Sequence, residues 1–188
     1  MKRNLLTILI SVVAVCGVEV AYGKECKGVT FPEQAQVDGT NLTLNGLGLR
    51  QATMLKVNVY VAALYVTNPS NDANAILGSN TPKELILQFL RNVSASDLNK
   101  VWEEGFDKQL SAFKDHLAML KSWMTDMKTG ERLTFVHKPG AGIQVVVNGT
   151  VKGTIKGDDF VKTFLSIWLG ANPPNPGLKA GLLGGACG

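Results

Sequence analysis

A guanidinium and a phenol ten positions apart, Arg50 and Tyr60, are the side chains in this 188-residue chain with most to offer a polar ligand. Arginine presents a planar fork of donors that matches a carboxylate, and tyrosine adds one further donor. Arg50 follows the glycine-flanked run Gly46-Leu47-Gly48-Leu49, and Tyr60 lies within a Val- and Tyr-rich stretch. A turn near Thr53 would fold the two segments together. Provided no bulge intervenes, their shared parity then places both on one mixed face, beside walls such as Val59, Leu64 and Phe106. Such a pair would grip the acid end of an apolar molecule. The same residues also fit a plain rim arginine and a core aromatic whose hydroxyl meets water, and the residues alone leave both readings open.

Other chemistry is thin. His116 falls on the polar flank of a helical pattern and His137 in or beside a strand, and neither has metal-ligand spacing to Cys, Asp or a second His. Both read as surface histidines, and no metal or cofactor is implied. The Gly-rich pieces 46–48, 140–142 and 184–188 lack the strand, helix and lysine context of a phosphate cradle. Glu103 and Glu104 read as a solvated helix face, Asp158 and Asp159 as helix-start residues. The formal charge of +4 is mild and no basic cluster tracks a groove, which argues against a nucleic-acid partner.

The elements that must position the pair follow from periodicity. Val29–Phe31 and Leu42–Leu44 flank a polar turn, Asp38-Gly39-Thr40-Asn41, and read as a hairpin. Gly46 and Gly48 break the pattern. Leu55–Val66 is the strongest strand, with Leu55, Val57, Val59, Val61, Ala63 and Tyr65 on one face and Met54, Lys56, Asn58, Tyr60, Ala62 and Leu64 on the other. Asp72–Leu77 reads as a short helix stopped by Gly78, and Leu85–Leu90 as a buried strand. Ser94 and Asp97 form a capping pattern ahead of apolar residues recurring every three or four positions to Met127, one helix or two in succession ending near Gly130. Gly105 within them predicts close packing against the sheet or a small bend. Strands over 133–137, 143–147 and 151–155 follow, with Asn148-Gly149 the best hairpin signal. Asp158 opens a helix to Leu169, and Asn175-Pro176 opens a last short one. This order describes an α+β sheet with a helical layer on one face.

Residues 1–23 read as a signal peptide. Lys2 and Arg3 precede the apolar stretch Leu5–Val18, and Ala21-Tyr22-Gly23 supplies small residues for cleavage after Gly23. The stretch falls short of the about 20 residues a bilayer span needs, so no transmembrane segment is expected in the mature chain. Val15 before Cys16 argues against lipidation. Residues 24–188 then form a single domain in an exported protein, periplasmic or secreted, with a Gram-negative periplasm favoured. Cys26 and Cys187 remain at its two ends, and an oxidising compartment favours a bridge between them. Closing a loop of about 160 residues contributes roughly 4–5 kcal/mol in the chain-entropy picture.

Three blocks carry a resemblance. GLGLRQATMLKVNVYVAALYV at 46–66, LQFLRNVSASDLNKVWEEGFDKQL at 87–110 and VVNGTVKGTIKGDDFVKTFLSIWLGANPP at 146–174 resemble the bacterial exported chalcone isomerase-like proteins, over about Gly28 to Gly184. The resemblance implies an open-faced β-sandwich with a large antiparallel sheet and a helical layer. It is a family of true isomerases and of non-catalytic fatty-acid-binding members. Arg50 matches the arginine that faces substrate oxygens in the first group and a carboxylate in the second. Tyr60 stands where the enzymes place threonine, and a tyrosine there is what the fatty-acid-binding branch is expected to use. The enzymes' tyrosine and asparagine are replaced by Asp97 or Leu98 and by Glu104 or Gly105. That leaves no catalytic residue to name and leans the reading away from an enzyme. The resemblance thus implies an apolar ligand such as a fatty acid, bound through Arg50 and Tyr60. An isomerase or lyase acting on an enone or phenolic compound is the alternative. A second alternative is a non-catalytic envelope accessory or structural protein whose Trp168-Leu169-Gly170 segment and Pro-rich exit meet an unidentified protein partner, with Arg50 only locking the hairpin.

Overall fold

The computed structural model describes residues 23–109 and 111–188, with the backbone alone for 106–109 and 111. Apart from Gly23, the expected signal segment lies outside the described residues. The strands are β1 (Gly23–Cys26), β2 (Val29–Pro32), β3 (Gln34–Val37), β4 (Thr40–Ala52), β5 (Val57–Val66), β6 (Lys83–Phe89), β7 (Arg132–Lys138), β8 (Gly142–Val147) and β9 (Thr150–Ile155). The helices are α1 (Ala73–Gly78), α2 (Ala95–Gln109), α3 (Lys114–Trp123), α4 (Asp158–Leu169) and α5 (Pro176–Leu182), with a 3-10 turn at Ser111–Phe113 between α2 and α3.

Strands β3 to β9 form one seven-stranded antiparallel meander in chain order, and β1 and β2 pair separately. Alternation along β5 divides the molecule. Ala62, Leu64 and Val66 enter the core beneath α2, α4 and α5, whereas Val61, Ala63 and Tyr65 pack on the opposite face with β1, β2 and the start of β4. This is the expected α+β architecture, an open-faced sandwich with helices over a large antiparallel sheet. Cys26 and Cys187 form a disulfide with Cα atoms 6.0 Å apart, tying the C-terminal tail to β1.

Two local expectations change. The Asp38-Gly39 turn joins β3 to β4, so Val29–Phe31 pairs with β1 rather than with Leu42–Leu44. Both turn residues have positive φ, 47° and 81°, the geometry of a tight two-residue hairpin link. Gly46 and Gly48 do not interrupt a strand; β4 runs through both. They are needed for space, because α5 lies on the β4 backbone. A Cβ on Gly46 would sit 2.1 Å from the Gly181 carbonyl oxygen, and one on Gly48 2.2 Å from that of Leu178. Asn45 secures the contact, its buried amide donating to the Leu182 carbonyl at 2.7 Å and accepting from the Ser70 N–H at 2.7 Å.

The strongest strand starts at Val57, because Thr53–Lys56 make the turn, with φ of 63° at Thr53 and 50° at Lys56. The long helical pattern divides in two and stops at Trp123. Its start is the capping arrangement the sequence implies: the Asp97 N–H donates to Ser94 Oγ at 3.1 Å, and that hydroxyl donates to the Asp97 carboxylate at 2.8 Å. Gly105 is not forced by the sheet. Its nearest constraint is Ile167 of α4, at an ordinary 3.9 Å from an added Cβ.

His137 is not on the surface. It is 3 % exposed and stands opposite Lys83 in the β6–β7 register, itself 2 % exposed. Lys83 Nζ donates to the Ser79 and Thr81 carbonyls, and burial lowers its pKa to about 8. His116 is half-buried, stacked on Phe160 with ring centroids 4.8 Å apart.

Candidate functional site

Arg50 and Tyr60 are direct partners in the β4–β5 register, and residues directly opposite in an antiparallel pair share a face. The hairpin turn at Thr53–Lys56 folds the strands together, and a bulge at Val59 shifts the register so that Arg50 meets Tyr60 instead of Val59. Beyond the pair the register slips, since Gln51 faces Asn58 and Val59 is left unmatched. The bulge breaks the alternation expected along β5, so that Val59 and Tyr60 both line the same cavity. That cavity has a volume of about 440 Å³, within the range of small-molecule sites. Arg50, Val59, Tyr60, Phe89, Leu98 and Trp168 are among its walls, which are mainly apolar. Leu64 belongs to the core and not to the walls, and the Phe106 side chain lies outside the described residues.

The guanidinium is aimed by backbone. Arg50 Nη1 donates to the Gln51 carbonyl and, at 3.1 Å, to the Pro174 carbonyl. Among the described residues no protein acceptor meets Nε or Nη2, so part of the donor fork remains for a ligand. The next residue, Asn175, bonds the free edge of β4 as a neighbouring strand would. Its Nδ2 donates to the Leu49 carbonyl at 3.0 Å, and its Oδ1 accepts from the Gln51 N–H at 3.1 Å. Residues 174 and 175 therefore hold the backbone on both sides of Arg50 and one of its guanidinium nitrogens. This Asn was read only as a helix opener, and no local signal marks its contact with a strand more than a hundred residues earlier.

Tyr60 is set in a similar way. Its hydroxyl accepts from Trp168 Nε1 at 3.1 Å, and its ring meets Phe89 edge-on at 5.9 Å. The Tyr60 O–H proton has no protein acceptor among the described residues. Burial pushes the phenol pKa up to about 12, against weaker opposing effects of the Trp168 hydrogen bond and the Arg50 charge. The group is thus a neutral donor at any ordinary pH. Trp168 is 2 % exposed and forms part of the cavity wall beside Trp102, with ring centroids 5.9 Å apart. Trp168 is thereby withdrawn from any outside partner, whereas Ala171, Asn172 and Pro176 of the Pro-rich exit are exposed.

The positions that differ from the isomerases also lie here. Asp97 and Leu98 line the cavity, Asp97 engaged with Ser94 in the cap and Leu98 buried as an apolar wall, whereas Glu104 is exposed on α2. The described residues hold no group of three or more His, Cys, Asp or Glu suited to a metal ion.

The geometry can be set beside known proteins. A crystal structure of a fatty-acid binding protein from Arabidopsis thaliana superposes with a TM-score of 0.66. The two are 17 % identical, and the match covers 83 % of this chain and 92 % of that one. At that identity the likeness establishes the fold. No curated protein sequence matches this chain. The sequence profile described as chalcone isomerase-like matches residues 23–184, nearly all of the described chain, and the protein therefore belongs to the chalcone isomerase-like family.

Proposed function

We propose that the protein is an exported binder of a long apolar carboxylate such as a fatty acid, with Arg50 and Tyr60 receiving the acid head. The observation that carries this reading is the side-by-side presentation of donors without protein acceptors, Arg50 Nε and Nη2 and the Tyr60 O–H, at an apolar cavity of about 440 Å³. Two donors, one of them cationic, suit an anionic acceptor, and an apolar enclosure strengthens the contact by excluding the water that would screen it. The remaining walls offer an alkyl chain dispersion contacts and little competing polarity. The fold neighbour is named as a fatty-acid binding protein, which agrees with this reading.

The same walls support binding over turnover. Ring closure of an enone requires donors arrayed around the charge that develops in the transition state. At the positions where the isomerases carry their tyrosine and asparagine, Leu98 is apolar, Asp97 is an acceptor already engaged by Ser94 and Glu104 is exposed, so none of them adds a donor to those of Arg50 and Tyr60.

The test is mass spectrometry of acyl molecules that co-purify with the native protein and with Arg50→Ala. The proposal expects long-chain acids with the native protein and a marked depletion with the variant. A native protein that carries no acyl molecule and takes none up when supplied would sink it.

A further inference from the structure

We infer that the mouth of the cavity is a docking surface for an anionic lipid bilayer, with the tip of the β4–β5 hairpin as the inserting element. Met54 is 100 % exposed and Leu55 86 % exposed, in a turn whose neighbours Ala52 and Thr53 line the cavity. Across the opening Val101 of α2 is 52 % exposed and also lines the cavity. Three of the five large hydrophobic side chains exposed among the described residues are thus associated with this one opening. Nothing in the fold requires Met54 or Leu55 to be apolar, since a turn with positive φ at Thr53 and Lys56 is ordinarily built from small or polar residues.

The charges nearby point to the occupant. Lys56 is exposed in the turn itself, Arg91 is exposed on the cavity rim, and Lys100 is exposed beside Val101. Asp97, its carboxylate bonded to Ser94, is the opposing charge among the cavity's lining residues, and Glu104, one turn on from Lys100 in α2, is a second exposed acid. Protruding apolar side chains set among basic ones match the interface of a membrane with acidic headgroups, where apolar groups enter the acyl boundary and cations meet phosphate. A stable protein partner or second copy would want roughly 20–30 residues a side, far more than this tip presents. The attachment proposed is peripheral, and among the described residues no helix is long and apolar enough to cross a membrane. The biological meaning of the surface, loading and unloading the cavity at the bilayer, rests on the carboxylate-binding reading, but the attachment itself does not.

The experiment is co-sedimentation of ligand-free protein with vesicles of phosphatidylcholine, with and without phosphatidylglycerol. It uses the chain from residue 24 on, so that the apolar stretch Leu5–Val18 plays no part. The inference expects sedimentation with the mixed vesicles, weakened by salt and by omission of phosphatidylglycerol. A Met54→Ser/Leu55→Ser variant should bind at least about tenfold more weakly. Lys56→Glu should lose binding to the mixed vesicles only. All variants should keep the native thermal midpoint and, in a separate vesicle-free titration, the native affinity for a long-chain acid. Absence of native sedimentation, or equal sedimentation of the double variant, overturns the inference. So does a dimer in sedimentation velocity that depends on Met54 and Leu55 while vesicle binding is absent. Failure of the carboxylate reading is seen separately, as a vesicle-free titration without uptake.

Discussion

At the scale of single residues, Arg50 and Tyr60 make separable contributions. Hydrogen bonds to a charged group contribute about 1.5–3 kcal/mol, so Arg50→Ala should weaken a long-chain acid by about 10- to 100-fold. Titration calorimetry measures this, and the matching alcohol, which needs no cation, should change little. Tyr60→Phe removes a neutral donor and also orphans the buried Trp168 N–H that its oxygen accepts. An unpaired buried donor costs about 1–3 kcal/mol, so this variant should show a lowered thermal midpoint as well as a smaller affinity loss than Arg50→Ala. His137 makes a different prediction. Burial pushes its pKa below 6.5 and the Lys83 charge acts in the same direction, with the Thr81 backbone and Asp158 opposing more weakly. An unfolded chain takes up this proton near 6.5, the folded one only at lower pH. Its contribution to stability is therefore constant above about 6.5 and declines as the solution is acidified, at up to about 1.4 kcal/mol per pH unit, until the folded histidine is protonated. Denaturant unfolding at pH 7.5 and 5 should show the gap between native protein and His137→Leu narrowing or reversing at the lower pH.

The element that governs the site is the C-terminal strap, Pro174 through α5. Its helix rests on the β4 backbone only because Gly46 and Gly48 have no side chains, and its leading residues hold Arg50. Gly48→Ala puts a Cβ 2.2 Å from the Leu178 carbonyl oxygen, so helix or strand must shift. Overpacking of this sort costs about 1–3 kcal/mol. The expected result is a lower thermal midpoint together with weaker acid binding, although Gly48 is not among the cavity walls. Unchanged acid affinity in a destabilised Gly48→Ala would mean that the strap does not aim Arg50. The same element explains what the sequence could and could not convey. Alternation along β5 separates its two faces correctly from Tyr60 onward, and the Asn148-Gly149 turn forms between β8 and β9, because both patterns are local. The glycines of β4 look like strand breakers until a helix more than a hundred residues later is seen lying on them. Likewise the bulge at Val59, the Asn175 clamp and the Trp168–Tyr60 bond depend on partners that no window of sequence contains. Arg50 and Tyr60 stood out by residue type, but parity held for them only without a bulge, and the bulge that sets them side by side was no more legible than the groups that hold them.

For the whole molecule, the disulfide fastens the tail beyond this strap to β1 across 161 positions. Removing such a bridge typically costs about 2–5 kcal/mol. A Cys26→Ser/Cys187→Ser protein should unfold at lower denaturant concentration, and if the tail steadies the strap it should also bind acid more weakly than its residual stability alone would suggest. The sheet, the helical layer and the strap then have one shared consequence, a cationic and a neutral donor held at the entrance of an apolar cavity. That consequence is read most directly by titrating native protein and Arg50→Ala with a long-chain fatty acid and with the alcohol of the same chain length. The account predicts that the native protein prefers the acid and that the preference disappears in Arg50→Ala while alcohol binding persists. A native protein that binds the two equally, or a variant that keeps the preference, would contradict it.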